Sequence, residues 1–173
     1  MTVEIIYMMK LVFIVGATSC GKTTFVNTNY QNKTILSLDA LSKSIRSVFT
    51  DFKLYDKDIC IKPSVDSDKF LNLVKKYVEC FFIDYPNETL VVEGCHFAPN
   101  ELLTAFPDAQ IIALGITNKD IALSQINKKD WMSKLKDSDK IAYVDLIVNY
   151  SLELKKNQGA YQYIEFYEDA FKD

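Results

Sequence analysis

Gly16-Ala17-Thr18-Ser19-Cys20-Gly21-Lys22-Thr23 holds the residues best suited to chemistry. It reads G-x-x-x-x-G-K-T, the phosphate-binding P-loop pattern. Gly16 and Gly21 allow a tight turn and let backbone N–H groups approach a phosphate chain closely. Lys22 supplies a compact positive charge for the β/γ-phosphates, and the Thr23 hydroxyl suits Mg²⁺. Residues 16–24, from Gly16 to Thr24, are therefore the expected nucleotide cradle.

The flanking residues supply the setting that this pattern needs. Lys10-Leu11-Val12-Phe13-Ile14-Val15 is apolar and rich in β-branched residues, which predicts a buried strand. Thr24-Phe25-Val26-Asn27-Thr28 starts a helix whose free N–H groups and dipole face the same anion. Further along, Thr34–Leu38 reads as a strand ending at Asp39, and Ala40–Phe49 as a helix with Leu41, Ile45 and Val48 on one face. Residues 50–65 have no clear period and read as an irregular acceptor-side segment. Asp66 or Ser67 caps a helix that runs through Phe82 and stops before Pro86.

Thr89-Leu90-Val91-Val92 is the third strand, with Glu93-Gly94 at its end. A short helix spans Pro99–Phe106. Gln110–Ile116 is the fourth strand, and a lysine-rich stretch runs from Asn118 to Lys140. A long helix covers Ile141–Asn157, Gly159 ends it, and Tyr161–Tyr167 is the last strand. Strands alternate with helices throughout. That order predicts an α/β protein with a parallel sheet and helices on both faces.

The 173 residues fit one domain, and a net charge of −3 gives no general attraction to duplex nucleic acid or an anionic membrane. No apolar run has transmembrane length. The first seven residues lack the basic start of a signal peptide, and Met8-Met9 offers an alternative translation start. Cys20, Cys60, Cys80 and Cys95 show neither C-x-x-C pairing nor a nearby histidine ligand set. They read as reduced thiols of a cytoplasmic protein. Cys20 is either a small spacer in the P-loop or a thiol whose pKa is lowered by the helix N-terminus.

With these pieces in place, the chain resembles the P-loop kinases of the nucleoside/nucleotide-kinase superfamily from Lys10 to Tyr167. It is especially similar to the group of polynucleotide 5′-kinases, zeta toxins and 2-phosphoglycerate-kinase-like proteins. The resemblance rests on the P-loop, on Leu38-Asp39 with Arg46 behind it, and on Val91-Val92-Glu93-Gly94. It implies a three-layer α/β/α fold with five parallel strands in the order 2-3-1-4-5. It also implies a lid, expected over residues 119–140, and Mg-ATP as donor; residues 40–85 are expected to form the acceptor side of a phosphotransferase for a hydroxyl of a small anionic molecule. A nucleic acid 5′-end is the less favoured acceptor, and the chain is expected to be a monomer or homodimer.

Several site residues carry two readings. Asp39, at a strand end that opens into the ligand crevice, is a candidate general base or a helix N-cap. Arg46 is the sole arginine among 20 basic residues. With Lys43 on the same helix face, it suits a planar, bidentate anion contact on the acceptor. Glu93 is expected to reach Mg²⁺ through water or to orient the attacking group, and its other reading is a carboxylate that caps the next turn. His96, the only histidine, reads as structural or as lining the acceptor pocket.

The expected lid contains no arginine, a departure from the kinase pattern. Lys128 or Lys129 is the candidate replacement in catalysis, and a solvated helix face is the alternative. Two rival functions remain. Thr117-Asn118-Lys119-Asp120 is similar to the guanine motif N-K-x-D of GTPases, but its spacing is wrong. A non-catalytic ATP sensor would also account for the missing lid arginine.

Overall fold

A computed structural model describes residues 10–53, 66–130 and 135–166. The alternative start at Met8 or Met9, most of the segment 50–65, Cys60, Trp131 and Lys134 lie outside these residues.

The most apolar segments form the centre of a parallel sheet. β1 (Lys10–Gly16), β3 (Thr89–Glu93) and β4 (Gln110–Gly115) are buried on both faces after their first residues, so their sequences run without polar alternation. β2 (Thr34–Ser37) and β5 (Gln162–Glu165) lie at the edges and are only partly covered. The order is β2-β3-β1-β4-β5, all parallel. Phe13 sits opposite Val92 on one side and Ile111 on the other, which places β1 at the middle. This is the expected five-stranded order.

Helices cover the sheet. α1 (Lys22–Asn29) follows β1, and α2 (Leu38–Val48) follows β2. α3 (Ser67–Asp84) buries Phe70, Val74, Val78, Phe81 and Phe82 along one stripe. α4 (Pro99–Ala105) starts on a proline at its first position. α5 (Lys119–Asn127) buries Ala122 and Ile126, and α6 (Asp137–Lys156) buries Val144, Ile147, Val148, Ser151 and Leu154. The Ser151 hydroxyl accepts the Ile116 N–H at 2.9 Å and donates to Ile147 O at 2.7 Å, pinning α6 to the end of β4.

Most elements lie within a residue or two of expectation, and three differences bear on the site. β2 stops at Ser37 and α2 begins at Leu38, so Asp39 lies in the first turn of a helix and not at a strand end. The Ser37 hydroxyl accepts the Ala40 N–H at 3.5 Å, making Ser37 the N-cap and ruling out that role for Asp39. The first half of the lysine-rich stretch is α5, because Ala122 and Ile126 recur at a helical spacing of four. α6 starts at Asp137, where Asp137 and Asp139 suit the positive helix end. Asp66 precedes α3, but its carboxylate does not cap that helix. It accepts the Lys53 N–H at 2.6 Å and pairs with Lys69 Nζ at 2.7 Å, tying Lys53 to the start of α3.

Candidate nucleotide and acceptor site

The loop between β1 and α1 is held in a shape that few residues allow. Gly16 has φ +134°, and a Cβ there would lie 2.0 Å from Leu114 O on the neighbouring strand. Only glycine permits that approach. Ser19 takes φ +64°, the left-handed region that side chains disfavour. Its hydroxyl oxygen is buried without a hydrogen-bond partner among the described residues. A strained residue presenting an unmatched buried hydroxyl marks the loop as shaped for a ligand. Gly21, also at positive φ, then leads into α1.

Lys22 folds back over this loop. Its ammonium donates to Ala17 O at 2.7 Å and Gly16 O at 3.1 Å. The charge is thus held over the loop by carbonyls that a phosphate can replace. Cys20 is fully buried beneath it, and its thiol donates to Ala17 O at 2.8 Å. Burial pushes the Cys20 thiol up, against the pull of the Lys22 charge, so the net direction is upward. The helix N-terminus does not make it a thiolate, and Cys20 behaves as a spacer.

Thr23, on the first turn of α1, meets the third strand. Its hydroxyl donates to Glu93 Oε2 at 3.3 Å. Glu93 ends β3 in register with Ile14 on one side and Ser37 on the other, and it is buried. A hydroxyl and a carboxylate meeting beside the loop form a hard-oxygen pair of the type Mg²⁺ takes, directly or through water. The unmatched Ser19 hydroxyl and the Gly16 cradle fit a phosphate. The donor set therefore suits Mg²⁺ and a nucleotide together.

The residues expected on the acceptor side are brought together by a close approach. A Cβ on Gly94 would lie 2.7 Å from the Leu38 Cβ, so glycine lets the turn after β3 press against the start of α2. Asp39 and His96 meet there, with Asp39 Oδ1 and His96 Nδ1 3.6 Å apart. The histidine is mostly buried and its ring stands edge-on to Phe70, with centroids 5.2 Å apart, whereas more than half of the Asp39 side chain is open to solvent. Cys95 joins them: one donor atom from each of Asp39, Cys95 and His96 lies within 4.8 Å of the others. Cys95, read from the sequence as a thiol without a histidine ligand set, thus lies beside one histidine and one carboxylate. The adjacent Cys95-His96 pair beyond a strand end was the available signal.

Asp39, Lys43 and Arg46 recur at spacings of four and three on α2, one face of the helix. Arg46 is in the last turn and its Nε–H donates to Ser42 O at 3.3 Å. Lys128 is the exposed C-cap of α5, beyond the first half of the expected lid. The Asn118 carboxamide caps the start of α5, accepting N–H groups from Asp120 at 2.9 Å and Ile121 at 3.1 Å. Lys119 pairs with Asp145 at 2.6 Å. The stretch similar to a guanine motif is thus occupied in holding α5 in place.

No known family model and no curated protein sequence matches this chain. Solved structures do match its fold. A gluconokinase from Sinorhizobium meliloti 1021 aligns over 90% of this chain and 81% of its own, with a TM-score of 0.53 and 12% identity. A shikimate kinase from Bacteroides thetaiotaomicron aligns over 94% and 89%, with a TM-score of 0.54 and 18% identity. A sugar kinase from Janibacter sp. HTCC2649 aligns over 91% and 84%, with a TM-score of 0.54 and 14% identity. The fold is that of P-loop kinases. Among the described residues, no helix is long and apolar enough to cross a membrane.

Proposed function

We propose that this protein is a Mg²⁺- and ATP-dependent phosphotransferase that moves the γ-phosphoryl group to a hydroxyl of a small anionic acceptor. The observation that carries this reading is the junction of two sites at one end of the sheet. Lys22, Thr23 and Glu93 surround the P-loop, and Asp39 stands on α2 beside the turn that follows Glu93. The gluconokinase, sugar kinase and shikimate kinase that share the fold agree with it.

Lys22, the loop amides and the start of α1 bind the phosphate chain and stabilise charge on the transferring group. Thr23 and Glu93 would hold Mg²⁺, Glu93 through water, and the ion would supply neutralisation of charge on the phosphate oxygens. Asp39 accepts the proton of the acceptor hydroxyl as it attacks. Arg46 is seven residues away on the same helix, about 10 Å along its axis. With Lys43, it grips an anionic group on an acceptor whose hydroxyl lies at Asp39. His96 lines the acceptor pocket, and Lys128 serves as the lid's point charge. Asp39 with Arg46 and Glu93 with Gly94 support placement near the polynucleotide 5′-kinase, zeta toxin and 2-phosphoglycerate-kinase-like group. A cytoplasmic setting suits this chemistry.

The test is ADP release from Mg-ATP with pooled acceptors: sugar and glycerate phosphates, nucleosides, nucleotides and 5′-hydroxyl oligonucleotides. Wild type is expected to show acceptor-dependent release, and Asp39→Asn to lose about 10²–10⁴-fold in kcat while still binding ATP. Lys22-dependent ATP binding with no acceptor-dependent release would overturn the phosphotransferase in favour of a sensor.

A further inference from the structure

We propose that Asp39, Cys95 and His96 form a Zn²⁺ site at the mouth of the acceptor side. The three residues bring a carboxylate, a thiol and an imidazole from two separate elements, with one donor atom each inside 4.8 Å. Tetrahedral zinc takes N and O donors at roughly 2.0–2.2 Å and S at about 2.3 Å, which places neighbouring donors roughly 3.3–3.6 Å apart. The Asp39–His96 pair, at 3.6 Å, already has that spacing. The thiol lies within 4.8 Å of both, so a closing movement of at most roughly 1–1.5 Å, within reach of a side-chain rotation, brings it to ligand spacing.

The frame around the triad is fixed. Gly94 sets the turn against α2, because any side chain there would meet Leu38, and Phe70 holds the imidazole edge-on. The donor set discriminates between metals. Thiolate and imidazole favour Zn²⁺, whereas Mg²⁺ and Ca²⁺ take oxygen donors. On binding, the Cys95 thiol releases its proton to solvent and the thiolate becomes the ligand. Three protein donors leave a fourth position open.

Occupancy withdraws the Asp39 carboxylate from the acceptor hydroxyl, so Zn²⁺ inhibits phosphoryl transfer. This consequence rests on the function proposed above; the binding itself does not.

Co²⁺ added to the full chain is the first probe. A single Co²⁺ is expected to give tetrahedral ligand-field bands and a thiolate-to-cobalt charge-transfer band, which Zn²⁺ then abolishes. Cys95→Ser and His96→Gln should each weaken Co²⁺ binding at least ~10-fold and remove or distort the bands. Cys60→Ser and Cys80→Ser should leave them unchanged. Thermal melts establish that each variant is folded; if Cys95→Ser does not fold, His96→Gln and Cys95→Ala decide. Absence of the charge-transfer band in folded wild type, or its survival in a folded Cys95 variant, overturns the site. In the ADP-release assay, Zn²⁺ should inhibit wild type and spare Cys95→Ser. Metal binding without any acceptor-dependent release would sink the phosphotransferase and leave the zinc site standing.

Discussion

Replacing Lys22 with methionine separates a nucleotide-binding lysine from a loop strut. In the structure the ammonium donates to Ala17 O at 2.7 Å and to Gly16 O at 3.1 Å. A phosphate about 4 Å away attracts a unit charge by ~4 kcal/mol at an effective dielectric near 20. Binding gives up the longer carbonyl bond, worth about 1 kcal/mol. The difference, about 3 kcal/mol, weakens nucleotide binding in Lys22→Met by ~10²-fold. At a nucleotide concentration 100 times the wild-type Kd, wild type gains about 2.7 kcal/mol, whereas the variant, near its own Kd, gains about 0.4 kcal/mol. For a domain of this size 1 kcal/mol moves Tm by about 2–4 °C. Mg-ATP should therefore raise the wild-type Tm by about 5–11 °C and the variant's by only about 1–2 °C, read by a thermal melt with and without nucleotide. The reasoning fails if both proteins gain equally. Lys22 would then only tie the loop, and its loss would appear solely as a lower Tm without nucleotide.

Three further outcomes follow from other parts of the site. Glu93→Gln keeps the size of the side chain and a partner for Thr23 but removes the charge, so the Mg²⁺ concentration for half-maximal ADP release should rise about 10–100-fold; an unmoved midpoint would remove Glu93 from the metal site. Arg46→Lys keeps the charge and loses the planar fork, so the KM for the acceptor should rise about 10-fold with the KM for ATP unchanged, and equal acceptor kinetics would argue against an anion contact. Acid should destabilise the fold through two carboxylates. Burial pushes Glu165 up, but hydrogen bonds from the Thr117 N–H and hydroxyl, the Tyr163 hydroxyl and Lys155 outweigh it and hold it below its ordinary 4.5. Bonds from the Lys69 side chain and the Lys53 amide hold Asp66 below 3.8. A depressed folded pKa means that the unfolded chain binds more protons. The stabilisation is therefore complete above those ordinary values and disappears as pH falls through the folded ones. Urea melts across pH should show that loss, with Thr117→Val, which removes one of the two Thr117 bonds, weakening the Glu165 part.

The central strands were legible because burial on both faces demands unbroken apolar runs, and Leu11–Val15, Leu90–Val92 and Ile111–Leu114 supply them. The P-loop was legible because its chemistry is written in consecutive residues. The start of α2 was misread because Ser37 and Asp39 are both good capping residues two positions apart, and only the backbone decides which one captures the Ala40 N–H. α5 was hidden because its buried stripe of Ala122 and Ile126 is too narrow to stand out within the lysine-rich stretch Asn118–Lys140. The adjacency of Cys95 and His96 was legible, but their meeting with Asp39 was not. It depends on the Gly94–Leu38 approach, a tertiary contact that no local spacing encodes.

That approach also explains how one chain can join two chemistries with so few committed residues. β3 ends at Glu93 beside the P-loop, and the next residue, Gly94, donates its N–H to Ile14 O at 3.1 Å, extending the register of β1 and β3 by one bond. Cys95 and His96 follow at once, so one strand end positions both the carboxylate proposed for the nucleotide side and the imidazole proposed for the acceptor side. α2 is then brought to that turn by the glycine contact, carrying Asp39, Lys43 and Arg46 on a single face. Gly94→Ala tests this coupling. The added methyl would lie 2.7 Å from the Leu38 Cβ, a contact between two positions with little freedom to move. α2 must shift by several tenths of an ångström while β1, β3 and the P-loop remain in register. Displacements on that scale, up to about 1 Å, at a reacting group cost as much as ~10²-fold in rate. Gly94→Ala should therefore depress acceptor-dependent turnover far more than the nucleotide-induced rise in Tm. Equal loss of both would mean that the turn supports the P-loop itself and that the two sides are not separately positioned.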